Sequence, residues 1–404
     1  MKLRWNKTVA IASIGALAMT AVPLVAGSAT GGAAAKPTYV IGVQGPFTGA
    51  DADYGDYDYA GVEFAVSQAN ATGKLPFTLQ VEKFDDQGSS TVAPGAAQKA
   101  VGTKNLVAIV GPAFSGASQV SYQYYHAANI AEVSPSATAV ALATGTNSSF
   151  LRTVADDSVQ GLADAQYLVK TKGIKNLTVI GDESFYGAGL AKAVATDAKT
   201  LGAKVTTKSI ANINEGGGGN AGAYSTLATS LAQSAPKGIF YGGYAPEFGL
   251  LIGDLASDGY TTAKHVLMSG DGSNDPALLT STSPKKAANG AFLSESATGK
   301  VSYFTGAMAT AFTKLTGVKA SVAIYAAQSY DAADAIIRAL GAAAPSSSIA
   351  TLRSETVTGL HAVSFTGVTG PIAFQTDGNL KIDKGSVQIS EVKKGKIVLI
   401  TSVG

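Results

Sequence analysis

The feature that most limits the fold of this chain is an alternation of short apolar runs with amphipathic stretches, which occurs twice. The first set of predicted elements is strand 38–43, helix 59–71, strand 77–85, helix 95–102, strand 105–111, helix 118–128 and strand plus loop 130–137. The second set is strand 176–182, helix 187–202, strand 204–210, helix 223–233, strand 237–243, helix 246–259 and strand 265–270. Strands that alternate with helices favour parallel sheets with helices on both faces. The sequence therefore predicts an α/β protein with two doubly wound lobes.

The last third of the chain departs from this alternation. Apolar spacing predicts helices over 302–317 and 321–344, and strands over 370–381 and 386–400. These helices bring little sheet of their own, so they must cover a sheet that is formed earlier in the chain. We therefore expect the chain to cross between the lobes more than once.

The N-terminus has the pattern of an export signal. A basic start is followed by an apolar stretch from Val9 to Ala26 and then by small residues. We expect residues 1–35 to be a signal peptide that is cut after Ala29 or Ala35. An uncleaved membrane anchor is the alternative.

Residues 24–28, LVAGS, are similar to the cleavage box of bacterial lipoproteins, but Ser28 stands where the lipid-bearing cysteine would be. Serine cannot carry the thioether lipid, so we expect no lipid anchor at this position. The sequence contains no cysteine at all, which excludes disulfides, thiolate catalysis and thiolate metal sites. The expected location is secreted or extracytoplasmic, in a periplasm or cell-wall space.

Charge and histidine content exclude further classes of protein. The net charge is +2 over 404 residues, which does not indicate a nucleic-acid surface. The three histidines, His126, His265 and His361, lie far apart and have no partners at metal-ligand spacing. We therefore predict no bound metal, no cofactor and no nucleic-acid partner.

The stretch GPAFSGASQ at 111–119 joins a predicted buried strand to a predicted helix and raises the question of what Ser115 does. A nucleophile elbow would need glycine at the positions of Ala113 and Ala117. The Gly-Lys-Ser/Thr ending of a phosphate-binding loop is also absent. The sequence therefore disfavours catalysis and leaves two roles open for Ser115, a helix cap or a clamp for another anion.

Polar side chains follow predicted strands in both lobes, where open α/β sheets bind ligands. They are Ser115, Ser136 and Thr138 in the first lobe, and Tyr186, Tyr244 and Asp271 in the second. Hydroxyls and N–H groups at helix N-termini suit a carboxylate, and an aspartate suits an ammonium group. Together these residues predict a site for a zwitterion, although Ser115 and Thr138 could be helix caps and Asp271 an Asx turn.

Nine segments between about Tyr39 and about Ile400 match one known family in their order and spacing. They are IGVQGPFTGADADYGDYDYAGVEFAV (41–66), EKFDDQGS (82–89), GPAFSGAS (111–118), SPSAT (134–138), FLRTVADDSVQG (150–161), ESFYGAGLA (183–191), IFYGGYAPEFG (239–249), YAAQSYDAADAI (325–336) and GPIAFQTDGNLK (370–381). On these segments the chain resembles the branched-chain amino acid (Leu/Ile/Val-type) substrate-binding proteins of ABC importers. Members of that family have the type I periplasmic-binding fold.

The resemblance implies roles for the polar candidates. Ser115 would hold the ligand α-carboxylate through its hydroxyl and N–H, and Thr138 would touch both carboxylate and ammonium. Ser136 would offer its backbone carbonyl to the ammonium. Asp271 falls at the ammonium-binding acid of the family, which is usually a glutamate, so its shorter side chain changes the contact.

The resemblance also implies roles for aromatic residues. Tyr54, Tyr186 and Tyr244 match positions that line the cleft and close over the ligand. Phe114 falls where some members have a cysteine, and it would shape the side-chain pocket. Tyr325 and Asp331 match a helix that packs near the cleft and hinge.

The implied lobes are 36–154 with 296–369, and 155–295 with 370–404, joined by three hinge crossovers near 154, 295 and 369. The implied function is an extracytoplasmic receptor that closes over an α-amino acid, branched-chain or aliphatic, and delivers it to ABC permease subunits. We expect a monomer without enzymatic activity. The alternatives are a non-transport sensor of the same fold, a receptor for amides, urea or aromatic acids, and an exported hydrolase that uses Ser115.

Overall fold

A computed structural model describes residues 36–49, 51–145, 148–211, 220–283, 285–296, 304–343, 348–382 and 387–403. The predicted signal peptide at 1–35 lies outside these residues. Among the residues described, no helix combines the length and apolar character that spanning a bilayer requires. The chain from Pro37 to Gly404 forms one compact unit.

The first alternating run forms a parallel five-stranded sheet. Its elements are β1 (Thr38–Gly45), α1 (Ala52–Ala71), β2 (Thr78–Asp85), α2 (Ala93–Gly102), β3 (Leu106–Val110), α3 (Ser115–Ala127), β4 (Ala131–Ser134) and β5 (Phe150–Arg152). The strand order is β2-β1-β3-β4-β5. All of β3 is buried, because a central parallel strand is covered on both faces.

The second alternating run forms the parallel part of another sheet. Its elements are α4 (Asp157–Gln166), β6 (Asn176–Gly181), α5 (Phe185–Thr200), β7 (Lys204–Ser209), α6 (Ala221–Ser234), β8 (Gly238–Gly242), α7 (Ala245–Ser257), β9 (Val266–Ser269), α8 (Ala277–Ser281) and β10 (Phe292–Glu295). Helix α4 begins where the Asp156 side chain accepts hydrogen bonds from the N–H groups of Ser158 and Val159, as an N-cap residue does.

The last third contributes helices beside the first sheet, a separate two-stranded sheet of β11 and β12, and two strands of the second sheet. The elements are α9 (Gly306–Thr316), α10 (Ala326–Ala342), α11 (Ile349–Ala362), β11 (Ser364–Thr366), β12 (Pro371–Ala373), β13 (Val387–Lys393) and β14 (Lys396–Val403). Ile336 and Leu340 of α10 share a core with Ile41 of β1. Helix α10 therefore covers a sheet that is formed earlier in the chain, as the sequence predicts, whereas Phe312 of α9 packs against Phe64 of α1.

Strands β13 and β14 extend the second sheet in an antiparallel direction, giving the order β14-β13-β10-β9-β8-β6-β7. Ile372, Phe374 and Leu380 still pack in the core of the first sheet. Ile382 also packs against this core, and Val387 begins β13 of the second sheet, so the expected crossover near 369 is too early. The apolar residues of 370–381 predict burial, but they do not say against which sheet.

Both sheets contain a point at which the strand order reverses. In the first sheet β1 lies between β2 and β3, and in the second β6 lies between β7 and β8. Connections from adjacent strands leave such a point on opposite faces, which opens a crevice at the carboxyl ends of the strands. A ligand site is therefore expected at the loops that follow β1, β3, β6 and β8.

Candidate functional site

Residues that follow β1, β3, β6 and β8, together with residues that follow β4 and β9 and with Tyr325 before α10, line one small cavity. It measures about 20 Å³ and is lined by Tyr54, Ala113, Phe114, Ser115, Ser136, Tyr186, Tyr244, Asp271, Gly272 and Tyr325. A water molecule needs roughly 10–15 Å³ of such space, so an amino acid does not fit unless the walls separate. Seven of the eight residues predicted for the site line this cavity, and Thr138 does not.

Asp271 lies at the centre of the polar contacts in this cavity. The Tyr186 hydroxyl donates a hydrogen bond to Oδ1 at 2.7 Å, and the Tyr325 hydroxyl donates one to Oδ2 at 2.7 Å. Burial raises the pKa of the Asp271 carboxyl, whereas hydrogen bonds from Tyr325, Tyr186 and Gln160 lower it. Within the part of the chain that the structure describes, Asp271 forms no ion pair. A buried carboxylate without a protein cation is suited to bind the ammonium group of a ligand.

Two phenol groups also fix the backbone of Gly272, which directly follows Asp271. The Tyr186 hydroxyl accepts a hydrogen bond from Gly272 N at 3.0 Å, and the Tyr54 hydroxyl donates one to Gly272 O at 3.3 Å. Tyr325 precedes α10 in a left-handed conformation with φ of 60°. Such strain in a bulky residue persists only where surrounding contacts hold it, as the bond to Asp271 does here.

Ser115 is the first residue of α3, and the extended Phe114 occupies the N-cap position without a side-chain capping bond. The Ser115 Oγ accepts a hydrogen bond from Ala139 N at 3.2 Å, which leaves its O–H able to donate. The Ser136 Oγ donates to Ala113 O at 2.7 Å. Ser115 is thus not the helix cap, and a donor stands beside the N–H groups at the start of α3, where an anion is favoured.

Thr138 is fully buried beside the cavity rather than in its wall. Its backbone O accepts a hydrogen bond from Asp157 N at 2.9 Å. Its hydroxyl faces the Asp157 carboxyl without standard hydrogen-bond geometry. Burial and the charge of Asp271 raise the pKa of Asp157, and the Thr138 hydroxyl lowers it. Thr138 therefore joins the first-sheet loop to the first turn of α4.

Aromatic rings form the remaining wall. The Phe114 ring lies edge-on to Tyr54 with centroids 5.6 Å apart, and 5.0 Å from the Tyr244 ring. Tyr186 lies 5.3 Å from Tyr244, and Tyr325 lies 6.2 Å from Tyr54. The contact between Phe114 and Tyr244 joins loops that follow strands of different sheets. The wall therefore suits an apolar ligand group and comes apart if the two sheets move apart.

Sequence reasoning missed a polar network behind Asp271. The Gln160 Nε2 donates to Ser294 Oγ at 2.9 Å, and the Ser296 Oγ donates to Gln160 Oε1 at 3.1 Å. The Ser294 Oγ also donates to Asp164 Oδ2 at 3.1 Å. Gln160 and Asp164 lie on α4, Ser294 lies on β10 and Ser296 directly follows it. Neither of these elements was predicted. Polar residues within 150–161, a segment matched to the family, were the available signal.

Asp331 lies away from the cavity and holds the loop between β11 and β12. Its carboxylate accepts hydrogen bonds from Val368 N and Thr369 N, both at 2.8 Å. Among the residues described, no His, Cys, Asp or Glu group is arranged to hold a metal ion.

The periplasmic binding protein family has a sequence model that matches residues 38–396 of this chain. The chain is 31% identical to the Leu/Ile/Val-binding protein of Escherichia coli K12 over 225 residues, which cover 55% of this chain and 59% of that protein. Among solved structures, the chain is similar to a leucine binding protein from Thermotoga maritima, with a TM-score of 0.74, 22% identity and coverage of 91% and 99% of the two chains. It is also similar to a branched-chain amino acid transporter substrate binding protein from Streptococcus pneumoniae in complex with isoleucine, with a TM-score of 0.74, 22% identity and coverage of 90% and 99%.

Proposed function

The chain belongs to the periplasmic binding protein family, and from this premise we propose that it is the substrate-binding component of an ABC importer. The proposed ligand is an α-amino acid with a branched-chain or aliphatic side chain. Names of relatives and structural neighbours support this ligand class, since they include Leu/Ile/Val-binding and leucine binding proteins.

The observation that carries the proposal is that Asp271 and Ser115, which come from different lobes, line one cavity. Asp271 is buried and receives only neutral donors from Tyr186 and Tyr325, so it can pair with an ammonium group. Ser115 supplies a hydroxyl donor at the start of α3, which suits a carboxylate. The rings of Phe114 and Tyr244 leave an apolar wall for the ligand side chain.

Ligand entry requires the two lobes to hinge apart. The cavity of about 20 Å³ is walled by both lobes, so separation of the lobes exposes Ser115 on one side and Asp271 on the other. The proposed lobes are 36–154 with 296–382, and 155–295 with 387–404. The hinge consists of the crossovers near 154, near 295 and after Ile382. Closure over the ligand then completes the site from both sides.

The proposed partners follow from this role. The closed, ligand-bound protein docks on the permease subunits of an ABC importer and acts as a monomer without enzymatic activity. It works outside the cytoplasm after removal of the signal peptide at 1–35. Because Ser28 replaces the lipid-bearing cysteine, it is not anchored by a lipid there.

Thermal unfolding of residues 36–404 with each of the twenty amino acids, and with amides, urea and aromatic acids, tests this function. A ligand that binds only the folded state raises the melting temperature. Increases with leucine, isoleucine or valine are the expected result. Increases with amides, urea or aromatic acids alone would contradict the role of Asp271 as the ammonium partner.

A further inference from the structure

We propose that Arg152 is a positioning residue that holds the Ser136–Thr138 loop in its ligand-binding shape without touching the cavity. The proposal rests on the proposed function, because the loop matters only if its residues meet a ligand. Arg152 is the last residue of β5, its side chain is fully buried, and it does not line the cavity.

One nitrogen of the Arg152 guanidinium binds both sides of Thr138. Its Nη1 donates hydrogen bonds to Ala137 O at 3.1 Å and to Ala139 O at 3.0 Å. The N–H of Ala139 in turn donates to Ser115 Oγ. Arg152 and Ser115 therefore together fix the orientation of the peptide groups of residues 137–139. Arg152 binds two carbonyl oxygens of this segment, and Ser115 binds one N–H.

The opposite edge of the guanidinium binds a turn near the third crossover. The Arg152 Nε donates to Asn379 Oδ1 at 2.8 Å, and the Asn379 side chain donates to Asp377 Oδ2 at 3.0 Å. The Arg152 backbone N also donates to Gly378 O at 3.1 Å. Gly378 has φ of +94°, and a Cβ there would lie 2.0 Å from Phe150 O. The turn at 377–379 therefore packs directly against β5 and orients the Arg152 side chain.

The chemistry of the side chain supports positioning rather than simple filling of space. Burial lowers the pKa of Arg152, and the charges of Asp156, Asp157 and Asp377 raise it. A buried cation without a paired carboxylate is costly, and an apolar residue would fill the same volume more cheaply. The planar guanidinium, however, can donate to two carbonyls and an amide in fixed directions, which lysine cannot reproduce.

The test compares Arg152→Lys with a matched control, Arg353→Lys. Arg353 of α11 also donates to backbone carbonyls of the same lobe, with its Nε 2.8 Å from Leu106 O, and it does not line the cavity. Both substitutions are expected to lower the melting temperature. Only Arg152→Lys is expected to weaken the affinity for the amino acid that stabilises the wild type. The expected loss is roughly tenfold, because displacement of residues 137–139 would cost about one charge-assisted hydrogen bond between the loop and the ligand.

Amide hydrogen exchange of the ligand-free protein provides a readout that does not depend on binding. Arg152→Lys is expected to speed exchange in residues 134–139, and Arg353→Lys is not. If Arg152→Lys does not fold, Asn379→Ala replaces it, since it removes the Nε partner and keeps the charge. If Arg152→Lys and Arg353→Lys have the same exchange rates at 134–139 and the same affinity, the proposed role of Arg152 is wrong. A wild type that binds no amino acid would overturn the proposed function instead, and the exchange data would still decide the role of Arg152.

Discussion

At the scale of single residues, we expect the charge of Asp271 to decide which ligands the cavity accepts. We expect Asp271→Asn to weaken amino acid binding by roughly tenfold to a hundredfold, because a hydrogen bond to a charged group contributes about 1.5–3 kcal/mol. The amide keeps a similar shape and an acceptor for one tyrosine, so the fold should survive. Isothermal titration gives the affinity, and Asp254→Asn on α7 is the control. Equal affinities of Asp271→Asn and the wild type would remove Asp271 from the ammonium site.

Phe114 is the residue expected to set the size of the ligand side chain. Its ring lies between those of Tyr54 and Tyr244, in the wall that faces the cavity. Phe114→Ala should enlarge the cavity. The affinity for leucine should fall, and the ratio of the affinity for phenylalanine to that for leucine should rise by roughly tenfold. Competition between the two amino acids measures the ratio directly. Phe312→Ala, a core substitution outside the cavity, should lower stability and leave the ratio unchanged.

The residues at the cavity show how far the sequence alone could go. Ser115, Tyr186 and Asp271 were predictable, because polar side chains that follow the strands of α/β sheets converge at the carboxyl edge. Gln160 was not, because it reaches Asp271 from a helix that the apolar pattern did not predict. The Arg152 contacts depend on a turn 227 residues away in the chain, a pairing that no local pattern contains.

At the scale of elements, the loop between β11 and β12 depends on one carboxylate of α10. Asp331 accepts hydrogen bonds from Val368 N and Thr369 N. Asp331→Ala removes the acceptor that these two N–H groups share and should lower the free energy of unfolding by about 1–3 kcal/mol. Asp334→Ala, which breaks a surface ion pair with Arg338, should cost about 0–1 kcal/mol.

Urea unfolding measures both variants, and binding measurements complete the test. Because Asp331 does not line the cavity, Asp331→Ala should lower the stability of the protein and change its affinity for the amino acid far less. A stability of Asp331→Ala equal to that of Asp334→Ala would show that the loop does not depend on this carboxylate.

Element prediction was accurate where the apolar pattern was long and regular, as in β6, α5 and α7. The three residues of β5 and the four of β10 are too short to show a period. The helix α11 was also missed, because its buried face, Leu352, Thr356 and Leu360, includes a polar residue and interrupts the apolar pattern. The position of the third crossover was wrong, since Ile372 and Phe374 signal burial without identifying the core they join.

At the scale of the whole molecule, the site exists because two sheets with the same kind of strand reversal face each other. Beside the first sheet, Tyr54 and Ser115 lie in the first turns of α1 and α3, the helices that follow β1 and β3. Beside the second, Tyr186 lies in the first turn of α5 and Tyr244 directly precedes α7, the helices that follow β6 and β8. Each set alone presents only half of the polar groups that a zwitterion needs. Ligand affinity and lobe closure are therefore expected to be linked, because only the closed arrangement satisfies both ends of the ligand.

The many buried carboxyls of the molecule predict how its stability depends on pH. Burial raises the pKa of Asp58 to about 8, of Asp86 to about 7 and of Glu295 to about 7. The folded state therefore binds more protons than the unfolded chain, in which such groups have pKa values near 4, and stability must fall as pH rises between these limits. The stabilisation is fully present below about pH 4 and is lost as pH rises through 7 to 8. We expect a higher melting temperature at pH 5 than at pH 8.

Two aspartates on α1 separate the contribution of burial from that of surface charge. Asp58 is fully buried with its Oδ1 2.7 Å from Ser329 Oγ, whereas Asp56 is half exposed and pairs with Lys83. Asp58→Asn replaces a titrating group by a neutral one of similar shape, so it should reduce the fall in melting temperature between pH 5 and pH 8. Asp56→Asn should leave that fall unchanged, because the Asp56 side chain is about half exposed and pairs with Lys83 instead of being buried. A melting temperature that rises from pH 5 to pH 8 in the wild type would contradict this prediction. It would mean that the buried carboxyls are ionised in the folded protein and are stabilised by nearby positive charges instead of by protonation.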